Sequence, residues 1–212
     1  MKLDNRTHLV DVEKLPAGDL ISGGKLMAVR RCLVIHFTEG GAAKTSAAWW
    51  NKPQNRRNDL GAHFLIERSG KIYQCRATNR TISHAGISRW KDPKTGVLYR
   101  SLNSCAIGIE LTNTGDACDT IKSEEQLVGY AGTLTAKHRN EKQSKKWERF
   151  SEAQLISCTE LSQILVQAYR LDDITGHDCI APERKIDPGP AFPMIQLREA
   201  CGFKGLPEVL WP

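Results

Sequence analysis

Three of the six histidines stand where a folded chain commonly opens a cleft: His36 ends an apolar run, His84 lies in Ser83-His84-Ala85-Gly86, and His177 lies in Gly176-His177-Asp178. Taken singly, each is compatible with an ordinary hydrogen-bonded imidazole. The segment from Gly176 to Pro190 adds weight, because it gathers His177, Asp178, Cys179 and Asp187 and is stiffened by Pro182, Pro188 and Pro190. A borderline divalent cation takes imidazole nitrogen and carboxylate oxygen at about 2 Å, and a rigid loop holds such donors at little entropic cost. His177 and Asp187 are candidate ligands from this loop; Asp178 and Cys179 compete on chemistry, but their closeness to His177 makes joint ligation awkward. His36 and His177 are about 140 residues apart, unlike a helix-borne HExxH pattern, so a metal site here must be assembled by the fold.

Glu110 is the lone carboxylate in the apolar run Ala106-Ile107-Gly108-Ile109-Glu110-Leu111. An isolated ionised carboxylate in a dry site costs several kcal/mol. It therefore either belongs to a structural ion pair or carries protons. Beside a bound metal, such a group takes a proton from water and passes it to a leaving amine.

The elements that must position these residues are legible from periodicity. Val29–Thr38 reads as a strand entering a Gly turn, Gly61–Glu67 and Lys71–Cys75 as a hairpin around Arg68-Ser69-Gly70, and Cys105–Leu111 as another strand. Ser123 and Gln126 form a capping pair ahead of Leu127, Tyr130, Ala131 and Leu134, which predicts a helix. Ser151 and Gln154 repeat the device before Leu155, Cys158, Leu161, Leu165 and Ala168, and shorter helices are predicted over Thr45–Trp50 and Met194–Cys201. Long connections, Ala77–Ser104 and Gly176–Pro193, have lengths typical of functional loops. The pattern predicts an α/β domain with a mixed sheet and helices on its faces.

At 212 residues the chain suits one domain with an ample core. The longest stretch free of Asp, Glu, Lys and Arg is Gln126–Ala136, too short to span a bilayer, so membrane insertion is excluded. The first twenty residues are charged and lack an apolar core, so no secretory signal is expected. Seven cysteines with no CxxC pair read as reduced, mostly buried thiols. The net charge of +6 implies an anionic partner. The densest basic stretch, Lys137–Arg149, is interrupted by Glu141 and Glu148 and holds a single aromatic, Trp147, which reads as a solvated loop rather than a nucleic-acid platform.

Val34-Ile35-His36, Ser83-His84-Ala85-Gly86, Ile107-Gly108-Ile109-Glu110-Leu111 and above all His177–Pro190 with its continuation Ala191-Phe192 resemble, in this order, the zinc-dependent N-acetylmuramoyl-L-alanine amidases. These include phage lysozyme-type amidases, bacterial anhydro-muropeptide recycling amidases and, more distantly, animal peptidoglycan recognition proteins. The resemblance runs from about Val29 to Phe192 and implies one amidase domain over residues 1–212, with its catalytic core at about 29–192 and zinc in a groove at the sheet's edge. It implies that His36, His177 and Asp187 bind zinc, that Glu110 is the general base, that Lys185 stabilises the oxyanion, and that His84 lines the groove and contacts substrate. Some branches use Cys as the third ligand; Asp187 places this chain with the carboxylate branch, and a complete ligand set implies a working enzyme.

The implied substrate is peptidoglycan or a muropeptide, cut between N-acetylmuramic acid and L-alanine, with a monomer as the default state. The basic charge favours a lytic, endolysin-like use on the wall, reached from the cytoplasm only if another protein releases the enzyme. A cytosolic recycling amidase and a non-catalytic peptidoglycan-binding module are the alternatives. Residues 90–103 and 137–149 match no pattern of the family.

Overall fold

A computed structural model describes residues 1–15, 23–120 and 128–210. Its strands, in chain order, are β1 (Leu3–Asp4), β2 (Leu9–Val10), β3 (Glu13–Lys14), β4 (Cys32–Phe37), β5 (Phe64–Ile66), β6 (Ile72–Gln74), β7 (Trp90–Lys91), β8 (Leu98–Tyr99), β9 (Ala106–Leu111), β10 (Thr133–Lys137), β11 (Ser144–Glu148) and β12 (Asp173–Gly176). The helices are α1 (Ala43–Trp50), α2 (Pro53–Arg57), α3 (Glu152–Tyr169), α4 (His177–Ile180) and α5 (Met194–Ala200).

Six strands form a central mixed sheet in the order β12-β4-β9-β5-β6-β3. The pairs β12–β4, β4–β9 and β9–β5 are parallel, and β5–β6 is the antiparallel hairpin expected around Gly70. The turn depends on Gly70, whose φ of +82° suits a residue without a side chain.

Alternation along the strands builds both the core and the site. On β4 and β9, Leu33, Ile35, Phe37, Ile107, Ile109 and Leu111 enter the main core with Cys158, Leu161 and Leu165 of α3. Burying each large aliphatic side chain contributes about 1.5–3 kcal/mol. The intervening residues of the same strands face the other way, where Cys32, Val34 and Ala106 pack under Ala85, Trp90 and Ile180. The period of two puts His36 and Glu110 on this second face, and the parallel register sets them directly opposite one another. On that side of β5 and β6, α1 packs Ala43, Ala47 and Trp50 against Leu65 and Tyr73.

Helix α3 begins as its sequence requires. Ser151 Oγ accepts the Gln154 N–H at 3.1 Å, and Gln154 Oε1 accepts the Ser151 N–H at 3.3 Å. The Gln154 amide also donates to the Thr112 carbonyl at 2.9 Å, which ties the helix to the end of β9.

Two expectations are corrected. The helix expected from Ser123 begins outside the described residues, and Leu134 lies in β10, opposite Trp147 of β11. Gly129 and Gly132, at φ +74° and +81°, take backbone conformations that interrupt a helix, and the β-branched Thr133 and Thr135 favour the strand that follows. The basic stretch Lys137–Arg149 is mostly hairpin rather than solvated loop, with His138, Trp147 and Glu148 buried among exposed lysines. Within the long Ala77–Ser104 connection, β7 and β8 form a further hairpin. Six of the seven cysteines are buried, and all are unpaired.

Candidate metal centre and cleft

Strand β4 delivers His36 at its carboxyl end, and β12 runs straight into α4, whose first residue is His177. The chain then returns through Lys185 to Asp187, closed by a backbone bond from the Asp178 N–H to the Asp187 carbonyl at 2.7 Å. Three donor atoms converge. His36 Nδ1 is 2.9 Å from His177 Nδ1 and 2.9 Å from Asp187 Oδ2, and His177 Nδ1 is 3.0 Å from that same oxygen.

Neighbouring groups assign the protons. His177 Nε2 lies 3.1 Å from the Ala85 carbonyl, which can only accept, so Nε2 carries hydrogen and leaves the Nδ1 lone pair free. His84 Nε2 likewise faces the Ala106 carbonyl at 3.3 Å, so His84 Nδ1 accepts from His36 Nε2–H at 3.0 Å. That hydrogen bond leaves the His36 Nδ1 lone pair pointing at its two neighbours. Burial, then the neighbouring His177, push His36 down to about 4. Two imidazole lone pairs and a carboxylate oxygen, facing one another with no proton supplied by their neighbours, make a donor set that suits a metal cation. Among the described residues, this is the one cluster of histidine, cysteine or carboxylate side chains so arranged.

These ligand candidates line a cleft of about 420 Å³ together with His84, Glu110 and Lys185, so all six residues singled out from the sequence meet in one place. Glu110 Oε2 is buried and has no hydrogen-bond partner. Burial first, then the charge of Asp187, push the Glu110 carboxyl well above its ordinary range, and Lys185 opposes them. A carboxyl held in this way is suited to accept and return a proton. His84 does line the cleft, but with both ring nitrogens engaged by His36 and Ala106.

The competition among acidic and thiol groups in the loop is settled by direction. Asp178 turns away from the cluster to His138, its Oδ2 accepting at 3.2 Å, and the Cys179 sulfur lies 3.0 Å from Arg139 Nη1. His63 sits behind His84, accepting the Gly108 N–H at Nδ1 and donating from Nε2 to the Arg80 carbonyl.

Sequence reading missed the far wall of the cleft, where α1 contributes Thr45, Ser46 and Trp49. Trp49 is 49% exposed while Trp50 beside it is buried. The signal was present, since two adjacent tryptophans on a helix cannot both face the same core.

A mixed sheet carrying a buried His/His/Asp cluster beside an unpartnered glutamate, at the carboxyl ends of parallel strands, brings together the donor set and proton acceptor that metal-assisted hydrolysis uses. The family model described as N-acetylmuramoyl-L-alanine amidase matches residues 27–190, and the chain belongs to that family.

The 1,6-anhydro-N-acetylmuramyl-L-alanine amidase AmpD of Haemophilus influenzae is 30% identical over 136 residues, covering 63% of this chain and 54% of that protein. The N-acetylmuramoyl-L-alanine amidase AmiD of Escherichia coli is 28% identical over 178 residues, covering 80% of this chain and 52% of that protein. The chain thus spans about half the length of these curated relatives. The solved structure of E. coli AmiD in complex with the substrate anhydro-N-acetylmuramic acid-L-Ala-D-gamma-Glu-L-Lys is similar with a TM-score of 0.59 and 26% identity, covering 85% of this chain and 62% of that one.

Proposed function

We propose that this chain is a zinc-dependent amidase that hydrolyses the bond between the lactyl group of N-acetylmuramic acid and the L-alanine of the stem peptide. The observation that carries the reading is the convergence of His36, His177 and Asp187 beside the unpartnered Glu110 carboxylate in one cleft. Membership of the amidase family and the substrate names of its relatives supply the bond to be cut.

His36 and His177 would hold zinc through Nδ1 and Asp187 through Oδ2. Zinc held by three protein ligands supplies Lewis-acid chemistry, polarising a carbonyl and bringing the pKa of water towards about 7. Glu110 takes the proton of the attacking water at its free Oε2 and returns it to the departing amine of L-alanine. Lys185, two residues before Asp187 and on the same cleft wall, offers its ammonium to the oxyanion as charge develops. His84 keeps His36 in the tautomer that presents Nδ1.

The net charge of +6 favours a lytic use on the anionic wall, and the names of the AmpD relatives favour soluble anhydro-muropeptides as substrates. One experiment separates the two. Purified protein with measured zinc content is given intact sacculi and isolated anhydro-muropeptides, and released stem peptide is read by mass spectrometry. Cleavage of sacculi supports lysis, and cleavage of soluble muropeptides alone supports recycling. Zinc-loaded protein that binds sacculi and cuts neither substrate is a binding module, and the amidase reading then falls. In the same assay Asp187→Ala is expected to lose zinc, whereas Glu110→Ala keeps zinc and loses about 10²–10⁴-fold in rate.

A further inference from the structure

The loop that carries His177, Lys185 and Asp187 is braced from outside by the β10–β11 hairpin. Trp147 of β11 is buried beneath it, so close that a Cβ on Gly189 would stand 2.9 Å from the indole. His138 lies against Trp147 with ring centroids 5.6 Å apart. Its Nδ1 accepts the Asn140 N–H at 3.0 Å, so its Nε2 carries the hydrogen given to Asp178 Oδ2.

At the tip, Asn140 Nδ2 donates to the Asp178 carbonyl at 3.0 Å and to the Lys185 carbonyl at 3.3 Å. These two carbonyls belong to opposite limbs of the loop, one beside His177 and the other at Lys185, two residues before Asp187. The limbs are also joined by the Asp178 N–H bond to the Asp187 carbonyl at 2.7 Å and by the Lys185 N–H bond to the Ala181 carbonyl at 2.9 Å.

We propose that Asn140 is a positioning residue for the metal centre, its amide bridging the two limbs so that His177 on one and Lys185 and Asp187 on the other keep the spacing the site requires. These backbone bonds hold the limbs at Asp187 and at the Ala181 turn, and the Asn140 amide adds a side-chain bridge that fixes the Asp178 and Lys185 carbonyls relative to one another. A primary amide suits the task because its two N–H donors serve two carbonyls from one atom. Misplacement by about 1 Å at a reacting centre can cost about 10²-fold in rate. Asn140 is exposed, and its removal uncovers no core, which separates positioning from folding.

The rate arm of the test rests on the amidase reading, and the metal arm rests only on the ligand cluster. Asn140→Ala, Asn140→Asp and Asn140→Ser are compared with wild type and with Lys145→Ala, a change on the hairpin's exposed side. Zinc affinity is measured by chelator competition, melting temperature on zinc-free protein, and kcat and KM on anhydro-muropeptide. Asn140→Ala is expected to weaken zinc binding about tenfold, within the range for removing an outer partner of a metal site. Its kcat falls about tenfold, KM stays within about twofold, and the zinc-free melting temperature hardly moves. Asn140→Asp, which sets carboxylate oxygen against two carbonyls, is at least as damaging; Asn140→Ser, keeping one donor, falls between; Lys145→Ala behaves as wild type. Zinc affinity equal to wild type in both Asn140→Ala and Asn140→Asp overturns the proposal, as does a loss that follows the zinc-free melting temperature across all variants. If wild type cuts no muropeptide but still binds zinc more tightly than the Asn140 variants, the amidase reading fails and the bridge stands.

Discussion

His84 occupies the space that a side chain at position 108 would fill, since a Cβ on Gly108 would stand 2.7 Å from both Cγ and Nδ1 of the His84 ring. Gly108 sits on β9 beside Val34 of β4, and its N–H is held by His63 Nδ1 at 3.0 Å, so the strand has little room to retreat. The missing side chain lets His84 lie flat enough to reach the Ala106 carbonyl with one nitrogen and His36 with the other. A residue outside the His36, His177 and Asp187 cluster thereby governs the orientation of His36.

Gly108→Ala is accordingly expected to displace His84 and release His36 Nε2. Zinc affinity should fall about 10- to 100-fold, the range for losing a partner of a ligating histidine. His84→Ala should cost a similar amount, and the double variant no more than the larger single effect, because both act through one hydrogen bond. Chelator competition checks this, and an unchanged zinc affinity in Gly108→Ala refutes the coupling.

Lys185→Met removes the ammonium while retaining most of the stem. With a role confined to the developing oxyanion, kcat should drop about 10²–10³-fold, comparable to removing one oxyanion donor, with bound zinc unchanged. A rise in KM with kcat preserved would show instead that Lys185 binds the ground-state substrate.

Much of the site was legible because its residues sit at strand ends and in a proline-stiffened loop whose positions the sequence pattern marks. His36 and Glu110 belong to runs with unambiguous strand periodicity, and their alignment across β4 and β9 follows from the parallel pairing. The capping pair Ser151 and Gln154 likewise located α3. The stretch around Leu134 misled because Leu127, Tyr130, Ala131 and Leu134 match a helical face, while the two glycines between them decide the backbone. The role of the β10–β11 hairpin was hidden for another reason. His138, Asn140 and Trp147 gain meaning only through contacts with Asp178, Lys185 and Gly189, some 40 residues on, and no local pattern encodes such a contact.

The Glu148 carboxylate at the end of β11 is buried and fully used. It accepts from Arg68 Nε at 2.6 Å and Nη2 at 2.9 Å, and from the N–H and Oγ1 of Thr114, each at 2.7 Å. Removing one charge leaves the other buried without compensation, at a cost of about 3–5 kcal/mol. Glu148→Leu should therefore lower the melting temperature by roughly 6–20 °C for a chain of this size, and Arg68→Met should do much the same. The pair Arg68→Met with Glu148→Leu is expected to recover part of the loss, since it removes both charges together. Additive losses in the double variant, read by thermal unfolding, would show that the pair is not energetically coupled.

His63 supplies a pH dependence outside the His36, His177 and Asp187 cluster. Burial pushes it down to about 3, against about 6.5 in an unfolded chain. Its Nδ1 is committed to accepting from Gly108 and its Nε2 to donating to Arg80, so the folded protein has no place for a second proton. Between about pH 3 and about pH 6.5 the unfolded chain binds a proton that folded His63 does not, so stability rises with pH across that window. The contribution is complete above about pH 6.5 and is lost as the pH falls towards about 3, with a slope approaching about 1.4 kcal/mol per pH unit for one proton. His63→Gln keeps a hydrogen-bonding amide but does not titrate. Urea unfolding of the two metal-free proteins from about pH 5 to about pH 6.5 should give a shallower loss on acidification for His63→Gln, approaching one proton's worth of difference. Parallel stability curves over that range would mean that His63 takes up its proton without opening the fold.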